Sequence, residues 1–460
     1  MLIQHTVLTA INADPELRQS EHRLNLALIV GSAVHHTKNL VGGTTFSYRL
    51  LKSRTTDTSL IEFPTRQTVR LRIRLASLSR VFEVLVRLPR PGTRTEQLVL
   101  SAISAAHCAA ADGLICGASI LHGDLTETFL EKMDDIIIDT ALSLIVEDYW
   151  SPQSATDRLA DVRRFVQSLL AATYEGRPPE IGVSMTQAKS ISTNKRVNIR
   201  ELLESKKTST LFSGYRQLLI CDLNANMQRQ ITLPPYSDVP PMARGSVQYP
   251  APFEYQPVMR FSHQRNAVTF LLTRRREVFV IFGPEILFMR DGRGWRIFAL
   301  ERFLTLLSEL LRQNSKKSLT KRNSEVLAVY LAMLCLSLRE RGKGALFVIN
   351  RRGVKPSQAH SELLPAEKFF QSLFANGSIF DIPVSLMCNA AAVDGASILS
   401  WDCMVKRFGV IVNTERLKSA SEGARTRAAE FTSRHAVSIK VSEDGEITLF
   451  NKGKALVTVG

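Results

Sequence analysis

Ala390-Ala391-Ala392-Val393-Asp394-Gly395-Ala396-Ser397-Ile398-Leu399, followed after an interval by Gly423-Ala424-Arg425-Thr426-Arg427-Ala428-Ala429, is the pair of segments on which the reading of the fold turns. An acidic residue in a tight turn of small residues can hold a divalent metal. Two arginines beside a glycine suit phosphate, because a planar guanidinium fork matches phosphate oxygens better than a lysine point charge does. Asp-Gly between two apolar runs is first of all a turn signal, but a turn bounded by core strands puts its carboxylate at a sheet end, where ligands collect in α/β folds. Arg425 and Arg427 are two apart and share no face of a regular helix, so a site that uses both must start in a loop or first turn, where Gly423 supplies the backbone freedom.

Working outward, Gly344-Ala345-Leu346-Phe347-Val348-Ile349-Asn350 reads as a core strand, and Ser324 to Arg339 before it as a helix with Ser324 at its N-cap. Ser385 to Met387 reads as a strand entering the Asp394 turn. Val437 to Val441 is a strand, and Ser442-Glu443-Asp444-Gly445 opens a hairpin, since Asp-Gly is a strong hairpin dipeptide. Arg434-His435 falls at an exposed helix end.

In order and spacing these pieces resemble the diadenylate cyclase domain of the DNA-integrity-scanning family, which joins two ATP molecules into cyclic di-AMP. The resemblance spans about the last quarter of the chain, from the strand at Gly344 to Val441-Ser442-Glu443-Asp444-Gly445-Glu446-Ile447, which is similar to the family's Val-Ser-Glu-Glu-x-Gly hairpin. It implies a mixed sheet flanked by helices and a nucleotide site at Asp394, Gly395, Ala396, Gly423, Arg425, Thr426, Arg427, Ser442 and Glu443. It also implies Mg or Mn at Asp394, with ATP or cyclic di-AMP as the ligand. Family members usually carry histidines where this chain has Val393 and Thr426, and a threonine where it has Ala424. Valine neither ligates metal nor donates to phosphate, so the expectation is a nucleotide sensor. An active cyclase, with Asp394 as its catalytic residue, is the alternative. Synthesis in this family needs two sites face to face, so a cyclase would be a homodimer or higher oligomer.

The 460 residues allow about two to four domains. Hydrophobic content of 45% with 22% charged residues is that of a globular protein. The net charge of +16 draws polyanions, yet without helix-turn-helix or finger spacing it supports nucleic acid only by its sign. Arg274-Arg275-Arg276 and Lys316-Lys317 to Arg322 read as solvated faces, and Trp295, beside Arg293 and Arg296, as a core tryptophan rather than a base-stacking one. The six cysteines lie mostly in apolar runs without Cys-x-x-Cys, as buried thiols of a reducing cytoplasm do. Without a signal peptide pattern or a membrane-length apolar run, the expectation is a cytoplasmic protein with no membrane span. Phosphate loops, nucleophile elbows and metalloprotease helices do not occur.

The expected organisation is an α/β region over 1–235 of unknown role with a break near 175–200, a Pro-rich linker at 236–255, a small β-rich subdomain at 256–322, and the nucleotide domain at 323–460. Within the first region, Val69 to Leu75 alternates arginine with aliphatics as a half-buried strand with a basic face. Glu96 to Ala111, Phe129 to Tyr149 and Pro152 to Leu170 carry helical patterns, the second equally readable as a buried strand. Asp112-Gly113 with Gly117-Ala118-Ser119-Ile120-Leu121 echoes the Asp394 segment, but no arginine pair follows it, and the echo is read as coincidence.

Overall fold

A computed structural model describes residues 23–41, 45–52, 61–65, 67–75, 80–88, 93–115, 125–146, 149–150, 155–171, 179–187, 197–203, 216–234, 249–298, 300–315, 319–350, 359–360, 372, 377–401, 404–412 and 423–460. The fold is α/β. The first part holds α1 (Arg23–His36), β1 (Thr45–Lys52), β2 (Ile61–Thr65), β3 (Thr68–Leu75), β4 (Arg80–Arg87), α2 (Arg94–Ile115), α3 (Leu125–Val146) and α4 (Ala155–Ser168). The strands form an antiparallel sheet in the order β1-β4-β3-β2. Alternation in β3 buries Val69, Leu71 and Ile73 against the helices. Its arginine face is not simply solvated as expected: Arg70 and Arg72 pair with Glu62 at 2.6 and 2.9 Å, and with Glu83 at 3.2 and 3.5 Å, on the strands to either side. A reciprocal capping box starts α2, in which Glu96 N–H donates to Thr93 Oγ1 and Thr93 N–H to Glu96 Oε2.

Next come β5 (Ile181–Met185), α5 (Ile199–Leu203), β6 (Gln217–Cys221), β7 (Met227–Thr232), α6 (Gln256–Arg265), β8 (Val268–Leu272), β9 (Val278–Phe282), β10 (Glu285–Asp291) and β11 (Gly294–Ile297). They make one seven-stranded sheet, β11-β10-β9-β8-β5-β6-β7, in which only β5 and β6 run parallel. The expected division at 236–255 therefore does not separate two sheets. Strands β8 to β11, inside the β-rich subdomain expected at 256–322, join β5 through β8. Of the linker, 236–248 lie outside the described residues.

The third part comprises α7 (Leu300–Asn314), α8 (Lys321–Glu340), β12 (Ala345–Asn350), β13 (Ala359–His360), α9 (Val384–Ala391), β14 (Ala396–Ser400), β15 (Val405–Val412), α10 (Ala424–Thr432), β16 (Val437–Val441), β17 (Ile447–Asn451) and β18 (Lys454–Val459). Its sheet order is β13-β15-β14-β12-β16-β17-β18, with β12 and β14 parallel and the other pairs antiparallel. Two details depart from expectation. The N-cap of α8 is Thr320, whose Oγ1 accepts from Asn323 N–H, rather than Ser324. Ser385 to Met387 are helical, in α9, because Pro383 ends the preceding segment and the following residues include good helix formers.

From Leu327 to Leu338, α8 is apolar on nearly every side and lies between the two large sheets. One core joins Leu331, Leu334 and Leu338 to Leu271, Phe279 and Ile281 on one side and to Phe347, Ile349 and Ile439 on the other. The opposite face of the C-terminal sheet, at Leu346, Val348, Ala396 and Ile398, packs on Ala428 and Ala429 of α10. A mixed sheet flanked by helices is thus present.

Candidate nucleotide site

Strand register assembles the site. Because Leu346 lies opposite Ala396 and Ala345 opposite Val441, the ends of three adjacent strands meet at one edge: Gly344 before β12, Asp394 and Gly395 before β14, and Ser442 and Glu443 after β16. This is the N-terminal end of the parallel pair, whereas ligand clefts of open parallel sheets lie at carboxyl ends. The expected placement of Asp394 at a sheet end holds, but the usual end does not. Asp394 is exposed, and its Oδ1 accepts from Gly395 N–H at 3.0 Å. Gly395 has φ +103°, and a Cβ there would lie 2.5 Å from Gly409 C, so the turn needs glycine both for its angle and for the close approach of β15.

Gly423, at φ +90°, is the N-cap of α10, and both arginines stand in the first turn of this helix. Their spacing puts them on different faces of the helix. Arg425 Nη1 reaches Glu443 Oε1 at 2.9 Å, and Arg427 does not join that pair. Thr426 Oγ1 accepts from Lys440 Nζ at 3.3 Å. Beneath them Gly344 is in intimate contact: a Cβ there would fall 2.3 Å from Arg425 Nη1 and 3.3 Å from Glu443 Cγ. Sequence reading took Gly344 only as the start of a strand, since its role depends on which strands become neighbours.

The Ser442 turn is closed by Ser442 N–H donating to Glu446 O at 2.8 Å and Gly445 N–H donating to Ser442 O at 3.1 Å. A hydrogen bond from Ser442 holds the Asp444 carboxyl below its ordinary range. The turn is braced from outside. Arg275 donates to the carbonyls of Glu443 at 3.3 Å and Asp444 at 2.7 Å, and buried Arg339 to that of Gly445 at 2.8 Å while forking onto Glu277 at 2.7 and 2.8 Å. Two of the three arginines at 274–276 are thus engaged, Arg274 with Glu180 and Arg275 with this turn; Arg274 and Arg276 are exposed, as expected of the cluster, and Arg275 is half-buried.

Among the described residues no three His, Cys, Asp or Glu side chains gather closely enough to cage a metal. One exposed carboxylate at Asp394 fits instead the way Mg²⁺ is commonly held, by one or two carboxylates together with a ligand's phosphates.

Three other features bear on function. Trp295 is buried and donates to Asp135 Oδ1 at 2.8 Å, as a core tryptophan does, although Arg275, Arg276, Arg290, Arg293 and Arg296 line a cleft of about 870 Å³ beside it. Ser32, His36, His107 and Asp134 form a cluster that sequence reading missed. Ser32 Oγ lies 3.1 Å from both His36 Nδ1 and His107 Nε2, and His36 Nε2 is 3.4 Å from Asp134. Ser32 is 2% exposed, and burial drives His107 down to about 3; the contacts of the cluster tie α1 to α2 and α3. Finally, Cys221, Cys335 and Cys388 are buried free thiols, with burial pushing Cys221 up to about 12.

No family model and no curated protein matches the chain. Among solved structures, a hypothetical membrane spanning protein from Bacillus cereus is similar over 35% of this chain and 90% of its own, at 16% identity and a TM-score of 0.23. DacA from Staphylococcus aureus, solved as a double cysteine mutant, is similar over 29% of this chain and 87% of its own, at 22% identity and a TM-score of 0.19. No helix among the described residues is long and apolar enough to cross a membrane. The site described above rests on strand register and side-chain geometry, not on these distant likenesses.

Proposed function

We propose that the C-terminal unit binds an adenine nucleotide, ATP or cyclic di-AMP, and serves as a nucleotide sensor. The observation that carries this reading is the Arg425–Glu443 ion pair over Gly344, one strand away from Asp394 at the same sheet edge. The pair is exposed enough that breaking it costs about 0–1 kcal/mol. A phosphate can therefore take the guanidinium from the Glu443 carboxylate at little expense and gain a stronger charge-assisted contact. Helix α10 starts there with an exposed Gly423, whose end of the helix dipole favours an anion. A divalent ion would enter through Asp394 and the ligand's phosphates, shielding that carboxylate from like charge.

Val393 and Thr426 offer no imidazole to a metal or phosphate, and this supports sensing over synthesis. Calorimetry with ATP and with cyclic di-AMP tests the proposal. Binding to the unaltered chain that weakens tenfold or more in Arg425→Ala supports it, and unchanged affinity removes the site. An active cyclase is the second reading, favoured by the retained Asp394. Robust metal-dependent yield of cyclic di-AMP from ATP, lost in Asp394→Asn, would establish it in place of the sensor.

A further inference from the structure

The two seven-stranded sheets repeat one another. In the first, β5 is central, β6 is parallel to it, β7 folds back on β6, and β8, β9 and β10 continue antiparallel on the other side. In the second, β12, β14, β15, β16, β17 and β18 take the same places in the same chain order. Each sheet adds one edge strand, β11 or β13. The match extends to single bonds. The isolated bridge Asn198↔Asn226 has its counterpart in Ser378↔Met404. Asp222 N–H donates to Asn226 O as Ser400 N–H does to Met404 O, and Thr273 N–H to Glu277 O as Ser442 N–H does to Glu446 O. Left-handed residues fall at matching turn positions, Arg276 with Gly445 and Gly283 with Lys452. Even the entry to β8, Arg265-Asn266-Ala267-Val268, mirrors the entry to β16, Arg434-His435-Ala436-Val437. The Asp112 echo is no part of this repeat, because Asp112 lies inside α2.

Register then fixes what stands in the first copy at each site position. Ile181 pairs with Leu272 as Ala345 pairs with Val441, so Glu180 occupies the place of Gly344 and Arg274 that of Glu443. Gly182 lies opposite Leu218 as Leu346 lies opposite Ala396, so Arg216 occupies the place of Asp394. Glu180 and Arg274 are ion-paired at the position that Gly344 holds in the second copy, where the Arg425 guanidinium lies against the glycine instead. No arginine stands in the first turn of α6, which begins Gln256-Pro257-Val258, and Gln256 is buried against the Tyr249 and Ala251 carbonyls. The matching turns of the two copies meet through Arg275 and Arg339.

We infer that the chain holds two copies of one unit, that the first has closed its anion site with the Glu180–Arg274 pair, and that its turn, through Arg275, positions the Ser442–Glu446 turn of the copy that stays open. The ligand part of this rests on the proposed nucleotide reading; the bracing part does not. Equilibrium dialysis of the full chain with labelled ATP and labelled cyclic di-AMP should give one ligand per chain. Gly344→Glu should reduce affinity at least tenfold with the far-UV spectrum retained. Two ligands per chain, or binding that survives Gly344→Glu, overturns the inference. Hydrogen exchange without any ligand supplies the second readout: Arg275→Ala should speed exchange at Gly445 and Ser442 at least severalfold. Unchanged exchange there overturns the inference whatever binds, whereas absence of binding by the unaltered chain, with faster exchange in Arg275→Ala, sinks the nucleotide reading and supports the paired-copy arrangement.

Discussion

Glu340 is a buried acid at the junction of the two large sheets, and replacing it with glutamine should change how stability depends on pH. Its Oε1 accepts from Tyr255 O–H at 2.5 Å and from Arg274 N–H at 3.2 Å, while Oε2 is buried without a partner. Burial raises its pKa from 4.5 to about 7; the Tyr255 hydrogen bond opposes this, nearby Glu277 adds to it, and Arg339 again opposes. The folded state therefore holds a proton that the unfolded chain has released, and folding stability falls as pH rises from about 4.5 through 7. A shift of this size corresponds to roughly 3 kcal/mol. The glutamine amide keeps an acceptor for Tyr255 and carries no charge at any pH, so Glu340→Gln should be the more stable protein at pH 8 and close to the original at pH 4.5. In apparent melting temperature the gap at pH 8 is roughly 6–12 °C for a cooperative unit of ordinary size. Thermal scans of both proteins between pH 4.5 and 8 measure it, and curves that stay parallel across that range would refute the reasoning.

His107 gives the opposite dependence. It is fully buried and driven down to about 3, so its stabilising contribution is present above pH 6.5 and is lost as pH falls toward 3; His107→Gln should flatten that acid limb of the same scans. Arg339→Met removes the two-pronged partner of buried Glu277, leaving it only the Arg275 guanidinium at 3.5 Å, and should cost about 3 kcal/mol in denaturant unfolding, with Glu277→Leu added to Arg339→Met recovering much of the loss. Incubation with ATP and Mn²⁺ or Mg²⁺ should yield little or no cyclic di-AMP by chromatography, with whatever trace appears abolished in Asp394→Asn.

Local signals in the sequence were enough to place much of the C-terminal unit. Helix α8 running into β12, the Asp444-Gly445 turn between β16 and β17, and the small-residue turn at Asp394 are each specified by neighbours within a few residues. Ser385 to Met387 misled because a run so short has no distinguishing period, and its helix is set by Pro383 and by packing on α8. The join of β5 to β8 was invisible for a different reason: it links segments separated by a proline-rich stretch, and pairing at long range leaves no local mark. The same holds for Glu180 and Gly344. One reads as an ordinary surface acid and the other as a loop glycine until strand register sets them at the same point of two equivalent sheets. The repeat is hard to read from sequence because it survives mainly in topology and hydrogen bonds, while the echo at Asp112 begins inside α2 and runs on outside the described residues.

The central claim is that Arg425, at the head of α10, receives a phosphate of an adenine nucleotide. Calorimetric titration of the full chain with cyclic di-AMP and ATP, beside Arg425→Ala, tests it most directly. The account predicts saturable binding of at least one of them and a loss of about 1.5–3 kcal/mol in the variant, the worth of one charge-assisted contact. Absence of binding to the unaltered chain, or equal affinity in Arg425→Ala, would contradict it.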